Sequence, residues 1–266
     1  MMKVLVTVKE VATVADDFEI EGTEIAEQYR EYDLNEWDDY AIEEAVQLAE
    51  AGEDVEVVAA TIGPERSEET IRMALAKGAD RAVRVWDDGL DQNLLDTGAK
   101  VRVLGAVAEA EEPDLILTGV QAGDDAFGST GVALAESLGQ EWAAVVNHLD
   151  REAVLEEGVA EVHRELEGGV DEVTEVELPA TLTIKTGINE PRYASLRGIR
   201  QAQSKEIAVK GLSDLDLAAV DVENSLVLTE MYEPESESDA TLFEGSAEET
   251  AGQLADVLRE KGVAAE

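Results

Sequence analysis

Asp114-Leu115-Ile116-Leu117-Thr118 runs through Gly119-Val120-Gln121-Ala122-Gly123-Asp124-Asp125-Ala126-Phe127-Gly128-Ser129-Thr130-Gly131 into Val132-Ala133-Leu134-Ala135-Glu136-Ser137-Leu138. A short apolar run, a loop of small residues and an apolar helical segment make the strand–loop–helix unit of an α/β fold. The same reading extends outward. Residues 4–8, 54–61, 81–85 and 114–118 are short, β-branched stretches bounded by turn residues and are expected to be buried strands. Between them lie helical spacings: Ala41, Ala45, Val46, Leu48 and Ala49 behind Asn35; Ile71, Ala74, Leu75 and Gly78 after Ser67, with Glu69 and Thr70 in the first turn; Val101, Leu104, Val107 and Ala108 before Pro113. Alternation of this kind predicts a Rossmann-like, doubly wound parallel sheet covered on both faces. After Glu141 the pattern alternates, over 154–165 and 170–177, about Gly168-Gly169. That predicts an antiparallel hairpin added to the main sheet, not a second domain.

The boundary of the α/β body is expected at 212, with 213–266 as a C-terminal arm. Residues 230–239 hold Pro234 and a Glu-Ser-Glu-Ser run, an extended, solvated linker. Beyond it Ser246 is placed to cap a helix with Glu249 three residues on, and Leu254, Val257 and Leu258 form one apolar face before Gly262. A lone amphipathic helix cannot bury that face by itself, so it requires its own body or a partner.

Acidic side chains number 62 against 20 basic, a formal charge of -42, while 44% of residues are hydrophobic. The chain therefore has material for a core, and its charge repels nucleic acid and anionic membrane. The acid is spread along the chain, as expected of a solvated coat suited to the high salt of a halophile, where screening shortens to about 3 Å at 1 M. Cysteine is absent, which excludes disulfides, thiolate metal sites and thiol nucleophiles. His148 and His163 lie in different segments without a second ligand at helical spacing, so no metal site is expected. The apolar run after Met1-Met2-Lys3 is too short for a secretion signal or a membrane span, and a cytoplasmic location is expected.

Ligands of open α/β sheets lie beyond the carboxyl ends of the strands, which selects the loops after Val8, Thr61 and Thr118. The last, with small residues before a helix and the Ser129 and Thr130 hydroxyls, suits a phosphate. An ordinary cap and turn has the same composition. The loop has no lysine and matches neither the Walker pattern nor Gly-x-Gly-x-x-Gly, which disfavours an ATPase or a nicotinamide enzyme.

Three further blocks stand in order: Val162-His163-Arg164-Glu165-Leu166-Glu167-Gly168-Gly169, then Leu178-Pro179-Ala180, then Asn189-Glu190-Pro191-Arg192-Tyr193-Ala194-Ser195-Leu196. Singly they read as a hairpin turn and loop punctuation. Together they resemble the beta subunit of electron-transfer flavoproteins, whose pattern runs through Arg-Glu-x-Glu-Gly-Gly, Leu-Pro and Pro-Arg-Tyr. The resemblance spans most of residues 1–210 and implies an adenine nucleotide alpha-hydrolase-like fold and an electron carrier without catalytic residues of its own. It implies a phosphate cradle at Gly119, Gln121, Ala122, Asp124, Asp125, Gly128, Ser129, Thr130 and Gly131, and an adenine-side loop at Asn35, Glu36, Trp37 and Asp38. Thr7 and Ile62 complete the implied pocket.

Members that bind AMP resemble Asn-Pro-Phe-Cys in the adenine loop and Asn-Gln before Thr-Gly; here Asp38 and Gly128-Ser129 stand in those places. Members with a second FAD look more like this chain at Asp38 and Asp96-Thr97, but usually end the loop in Val-Gly, where Thr130-Gly131 stands here. AMP and a second FAD both remain open. Lys185, Arg192, Arg197, Arg200, Lys205 and Lys210, six of twenty basic residues, cluster in the segment that the resemblance makes a recognition loop for a partner dehydrogenase. Pro191, Arg192, Tyr193, Leu196 and Arg197 are its implied contact residues, with Leu196 the anchor; from charge alone the segment reads as a neutralised surface loop. The implied partners are an alpha subunit holding FAD jointly with this chain, acyl-CoA or other dehydrogenases as donors, and a quinone-linked oxidoreductase as acceptor. The competing class is a stand-alone AMP- or ATP-binding module of the universal-stress type, which leaves the hairpin, the Pro191-Arg192-Tyr193 loop and the arm without a role.

Overall fold

The computed structural model describes residues 1–92, 94–234 and 240–263. In chain order the strands are β1 (Met2–Thr7), β2 (Glu10–Val14), β3 (Ile20–Glu21), β4 (Glu24–Ile25), β5 (Arg30–Leu34), β6 (Val55–Ile62), β7 (Arg81–Val85), β8 (Leu115–Gly119), β9 (Glu141–Leu149), β10 (Val159–Leu166), β11 (Val170–Glu177), β12 (Ala180–Ile184) and β13 (Ile207–Lys210). The α-helices are α1 (Glu36–Ala51), α2 (Ser67–Lys77), α3 (Thr97–Glu111), α4 (Thr130–Leu138), α5 (Leu196–Ala202) and α6 (Ala247–Glu260).

Nine strands form one sheet in the order β11-β10-β9-β12-β8-β1-β6-β7-β13. The seven from β9 to β13 along that order run parallel, and β10 and β11 add the expected antiparallel hairpin at one edge. The apolar runs are buried from both sides. Val4, Val6, Val57, Ala59, Leu115 and Leu117 face the layer containing Ile42 and Leu48 of α1 and Ile71 and Leu75 of α2. Leu5, Val58 and Ile116 face Val103 and Val107 of α3 and Leu134 of α4. Two covered faces explain why these strands read as continuous apolar runs instead of alternating. The hairpin closes at Glu167-Gly168-Gly169, where both glycines take positive φ, at 81° and 72°, a region that L side chains rarely adopt.

Several elements differ from the sequence reading. The strand expected over 154–165 begins only at Val159, because Asp150 Oδ1 accepts the Glu152 and Ala153 N–H groups at 2.9 and 3.2 Å and Ala153–Glu157 coils into a helical turn that buries Val154. Strand β9, which carries that hairpin, was not anticipated. Part of the basic segment is sheet: β13 pairs with β7. Residues 10–34 form two small antiparallel pairs, β2 with β5 and β3 with β4, where no element was expected.

The chain divides into a unit Met1–Met231 and a second beginning at Tyr232. Residues just beyond the expected boundary at 212 remain with the body, since Leu215 and Val222 are buried in the layer of α3. In the second unit α6 carries the expected capping box: Glu249 Oε2 accepts the Ser246 N–H at 2.8 Å, and Ser246 Oγ accepts the Glu249 N–H at 3.4 Å. Of the expected linker, residues 235–239 lie outside the described residues.

Candidate functional site

Chain order reverses at β1. From β1 the chain steps to β6 and β7 on one side, then returns to place β8 on the other. The loops leaving the carboxyl ends of β1 and β8 therefore diverge and open a crevice, the general position of ligands in such sheets. A cleft of about 1180 Å³ lies there, lined by residues of the loops after β1, β6 and β8.

Two side chains at the start of α1 tie those loops together. Asp38, 5% exposed, accepts the Lys9 N–H at 2.8 Å through Oδ2 and the Gly119 N–H at 3.1 Å through Oδ1. Asn35 does not cap α1; its Nδ2 donates to the Gln121 carbonyl at 2.9 Å and its Oδ1 accepts the Gly123 N–H at 3.3 Å. Burial pushes the Asp38 carboxyl up to about 7, against the opposing pull of its hydrogen bonds and of the Lys9 charge. Gly119 lets α1 approach β8: a Cβ there would meet Asp38 Oδ1 at 2.5 Å and Trp37 Cβ at 2.7 Å.

The cleft also has cations that the loop reading missed. Lys9 Nζ contacts Asp124 Oδ1 at 2.5 Å and Asp125 Oδ2 at 2.8 Å, and Lys100 from α3 pairs with the same Asp125 oxygen. Burial pushes the Asp125 carboxyl up, but the two lysines outweigh it and hold it below its ordinary value. The Lys100 ammonium is pushed down by burial and by neighbouring Lys9. Arg66 packs over the Tyr32 ring at 4.1 Å and pairs with Glu10 at 2.9 Å, so the β2–β5 excursion walls one side. The N-terminus of α4 borders the cleft through Gly128 and Thr130, adding the partial positive charge of unpaired helix amides.

Of the residues expected from sequence, Thr7, Asn35, Asp38, Ile62, Gly119, Gln121, Ala122, Asp124, Asp125, Gly128 and Thr130 line this cleft. Glu36, Trp37, Ser129 and Gly131 do not. Ser129 Oγ lies 3.1 Å from Thr97 Oγ1, and Gly131 is buried where a Cβ would meet Thr118 Oγ1 at 2.4 Å and Thr183 Cγ2 at 2.7 Å. Gly131 thus serves close packing of α4 on the sheet. Asp96 is likewise occupied: it caps α3 through the Ala99 N–H at 2.9 Å and accepts the Ser225 and Leu226 N–H groups at 2.5 and 3.0 Å. Lys9 and Lys100 were legible only as isolated lysines, 91 positions apart in the sequence.

The second candidate surface surrounds α5. Arg192 donates to Glu43 Oε2 at 2.8 Å and to Glu50 Oε1 at 2.6 Å, and these pairs hold both carboxyls below their ordinary range. Asn189 Nδ2 donates to the Tyr40 carbonyl at 3.1 Å, and Lys205 Nζ donates to the Ala79 carbonyl at 2.5 Å. Arg192 and Lys205 are therefore engaged in fixing the segment to α1 and α2. The fixed segment presents outward both apolar and basic side chains: Tyr193 is 97% exposed and Leu196 78%, with Arg197 and Arg200 exposed beside them. Among the described residues Arg197 and Arg200 make no ion pair within the chain.

No helix is long and apolar enough to cross a membrane, and no group of three or more His, Asp or Glu side chains shares a metal position, in both cases among the described residues. The model of the electron transfer flavoprotein domain matches residues 22–215. The chain is 44% identical over 265 residues to the electron transfer flavoprotein subunit beta of Methylophilus methylotrophus, covering 97% of this chain and 98% of that one. It is 34% identical over 259 residues to the subunit beta of Bacillus subtilis, with 97% and 98% covered, and 37% identical over 237 residues to the mitochondrial subunit beta of Arabidopsis thaliana, with 88% and 90% covered. Matched through the sheet, the cleft and the hairpin alike, the chain belongs to the electron transfer flavoprotein family, among its beta subunits.

Proposed function

We propose that this chain is the beta subunit of a heterodimeric electron carrier that binds an adenine nucleotide, AMP or a second FAD, in the β1/β8 cleft. Its alpha subunit holds the redox FAD with it. The observation that carries the reading is the cleft at the sheet's switch point, with a helix N-terminus and two lysines gathered around it in a family of flavoproteins. The flavin supplies the redox chemistry when bound; this chain supplies geometry and electrostatics, with no catalytic residue of its own. Donors would be acyl-CoA or other dehydrogenases, the acceptor a quinone-linked oxidoreductase, and the compartment the cytoplasm. A stand-alone stress-type module is the weaker reading, because it assigns nothing to the exposed Tyr193 and Leu196. The test is to denature the purified heterodimer and chromatograph what it releases. AMP beside one FAD, or two FAD, supports the proposal; FAD alone rejects nucleotide binding in this subunit.

The recognition role of α5 makes its own expectation. An exposed apolar anchor beside unpaired arginines has the form of a docking hot spot, whose truncation costs about 2 kcal/mol or more. Leu196→Ala should therefore slow reduction of the flavoprotein by its dehydrogenase about tenfold or more at limiting concentration, leaving nucleotide content and flavin spectrum unchanged. Equal second-order rates in stopped flow would reduce this loop to ordinary surface.

The acidic coat fits a high-salt habitat. With a formal charge of -42, thermal stability is expected to rise from dilute buffer to molar KCl as self-repulsion is screened. A salt-independent melting temperature would remove the halophile proposal.

A further inference from the structure

His148 on β9 and His163 on β10 are the chain's two histidines, and they stand directly opposite each other across the antiparallel pair. Their ring centroids are 4.7 Å apart, with the planes tilted by 53°. The adjoining pair, Leu149 opposite Val162, is buried in the core. Strand alternation therefore puts both imidazoles on the other face of the sheet, where His148 is exposed and His163 half-buried. No residue of β9 or β10 lines the nucleotide cleft, so this pair is separate from that site.

We propose that His148 and His163 bind one divalent late transition-metal cation, of the Cu²⁺ or Ni²⁺ class, through one nitrogen from each ring. The spacing admits two rings on one ion. With metal–nitrogen bonds of about 2.1 Å, two imidazoles on adjacent corners of a square or octahedron have centroids roughly 4.5 Å apart, and on tetrahedral corners roughly 5 Å or more. The observed 4.7 Å lies between the two arrangements, so the spacing admits a shared ion, and the affinity order of divalent ions for imidazole, highest at Ni²⁺ and Cu²⁺, favours this class. Imidazole nitrogen also selects these ions over Mg²⁺ and Ca²⁺, which take oxygen ligands.

The charge around the pair favours a cation. On β10, Glu161 and Glu165 lie two residues to either side of His163 and share its face; opposite them on β11 stand Glu175 and Asp171. Val173 faces His163 directly, and Lys185 pairs with Glu165. Two ring nitrogens leave the remaining coordination positions to water or to one of the flanking carboxylates.

The test is titration of the full-length chain, alone and with its alpha subunit, with CuCl₂ and NiCl₂ in excess MgCl₂, which occupies the surface carboxylates. Calorimetry should show one site, and electron paramagnetic resonance of the Cu²⁺ form should show nitrogen coupling. His148→Ala and His163→Ala should each weaken the site at least tenfold, and the double variant should abolish the nitrogen signal. Both positions are solvent-facing strand sites, and circular dichroism checks that the variants fold. An unchanged site in the folded double variant, or coordination by oxygen alone, overturns the proposal.

Discussion

Gly131→Val is expected to destabilise the chain by about 3 kcal/mol or more, whereas Gly123→Val leaves stability within about 0.5 kcal/mol and empties the nucleotide cleft. Both glycines sit in one loop-to-helix segment, and composition alone offers no distinction between them. The structure does. A Cβ at Gly131 comes within 2.4 Å of Thr118 Oγ1 and 2.7 Å of Thr183 Cγ2, and those threonines are only 3% and 4% exposed in the sheet beneath α4. A valine there must push the helix off the sheet, disturbing Leu134 and Ala135, which are fully buried. At Gly123 nothing lies within 4 Å of an added Cβ, and the residue lines the cleft, so the bulk enters the space a ligand would fill. Urea unfolding gives the stabilities; nucleotide released on denaturation gives the occupancy. A stable Gly131→Val chain would show that α4 packs less closely than described, and a Gly123→Val chain with full nucleotide content would place the ligand elsewhere.

The parallel sheet was legible because burial on both faces writes itself as apolar runs such as that of β8, and residues 81–85 were bounded as β7 is despite Arg81 and Arg84. Strand β12 hides the same burial behind Thr181 and Thr183, whose hydroxyls are satisfied by the Gln140 side chain at 3.0 Å and the Val145 N–H at 2.8 Å. The excursion at 10–34 was illegible for another reason. Its two-residue strands are too short for any period, and Glu10, Glu21, Glu24, Glu31 and Asp33 mask the remainder. In the site, the loop after β8 announced itself by composition, but its charge partners did not. Lys9 and Lys100 reach Asp124 and Asp125 only because β1 and α3 converge at the switch point. The histidines carry a similar lesson, since a search at helical spacing overlooks a pair made by cross-strand register.

Asp38→Asn is expected to destabilise the chain at about pH 3 and to stabilise it at about pH 8, a reversal that ordinary surface carboxylates do not produce. The Asp38 carboxyl titrates at about 7 when folded, against its ordinary value of 3.8 in the unfolded chain. Between those values the folded state binds more protons than the unfolded one, so stability falls as pH rises through this window and stays lower above it. Below it the group contributes no pH dependence. The full difference corresponds to at most about 4 kcal/mol. Asparagine removes that penalty but keeps only one oxygen for two donors, Lys9 N–H and Gly119 N–H, so one of them faces an amide N–H at a cost of about 1–3 kcal/mol. At low pH the cost stands alone; at high pH the relieved burial of charge offsets it. An anionic ligand beside Asp38 should follow the same curve, held more weakly as the carboxylate forms, and Asp38→Asn should flatten that dependence. Differential unfolding of wild type and variant across the range isolates this one group, because titrations common to both chains cancel. Parallel curves would mean that Asp38 is already ionised at neutral pH, its two backbone donors and Lys9 outweighing its burial.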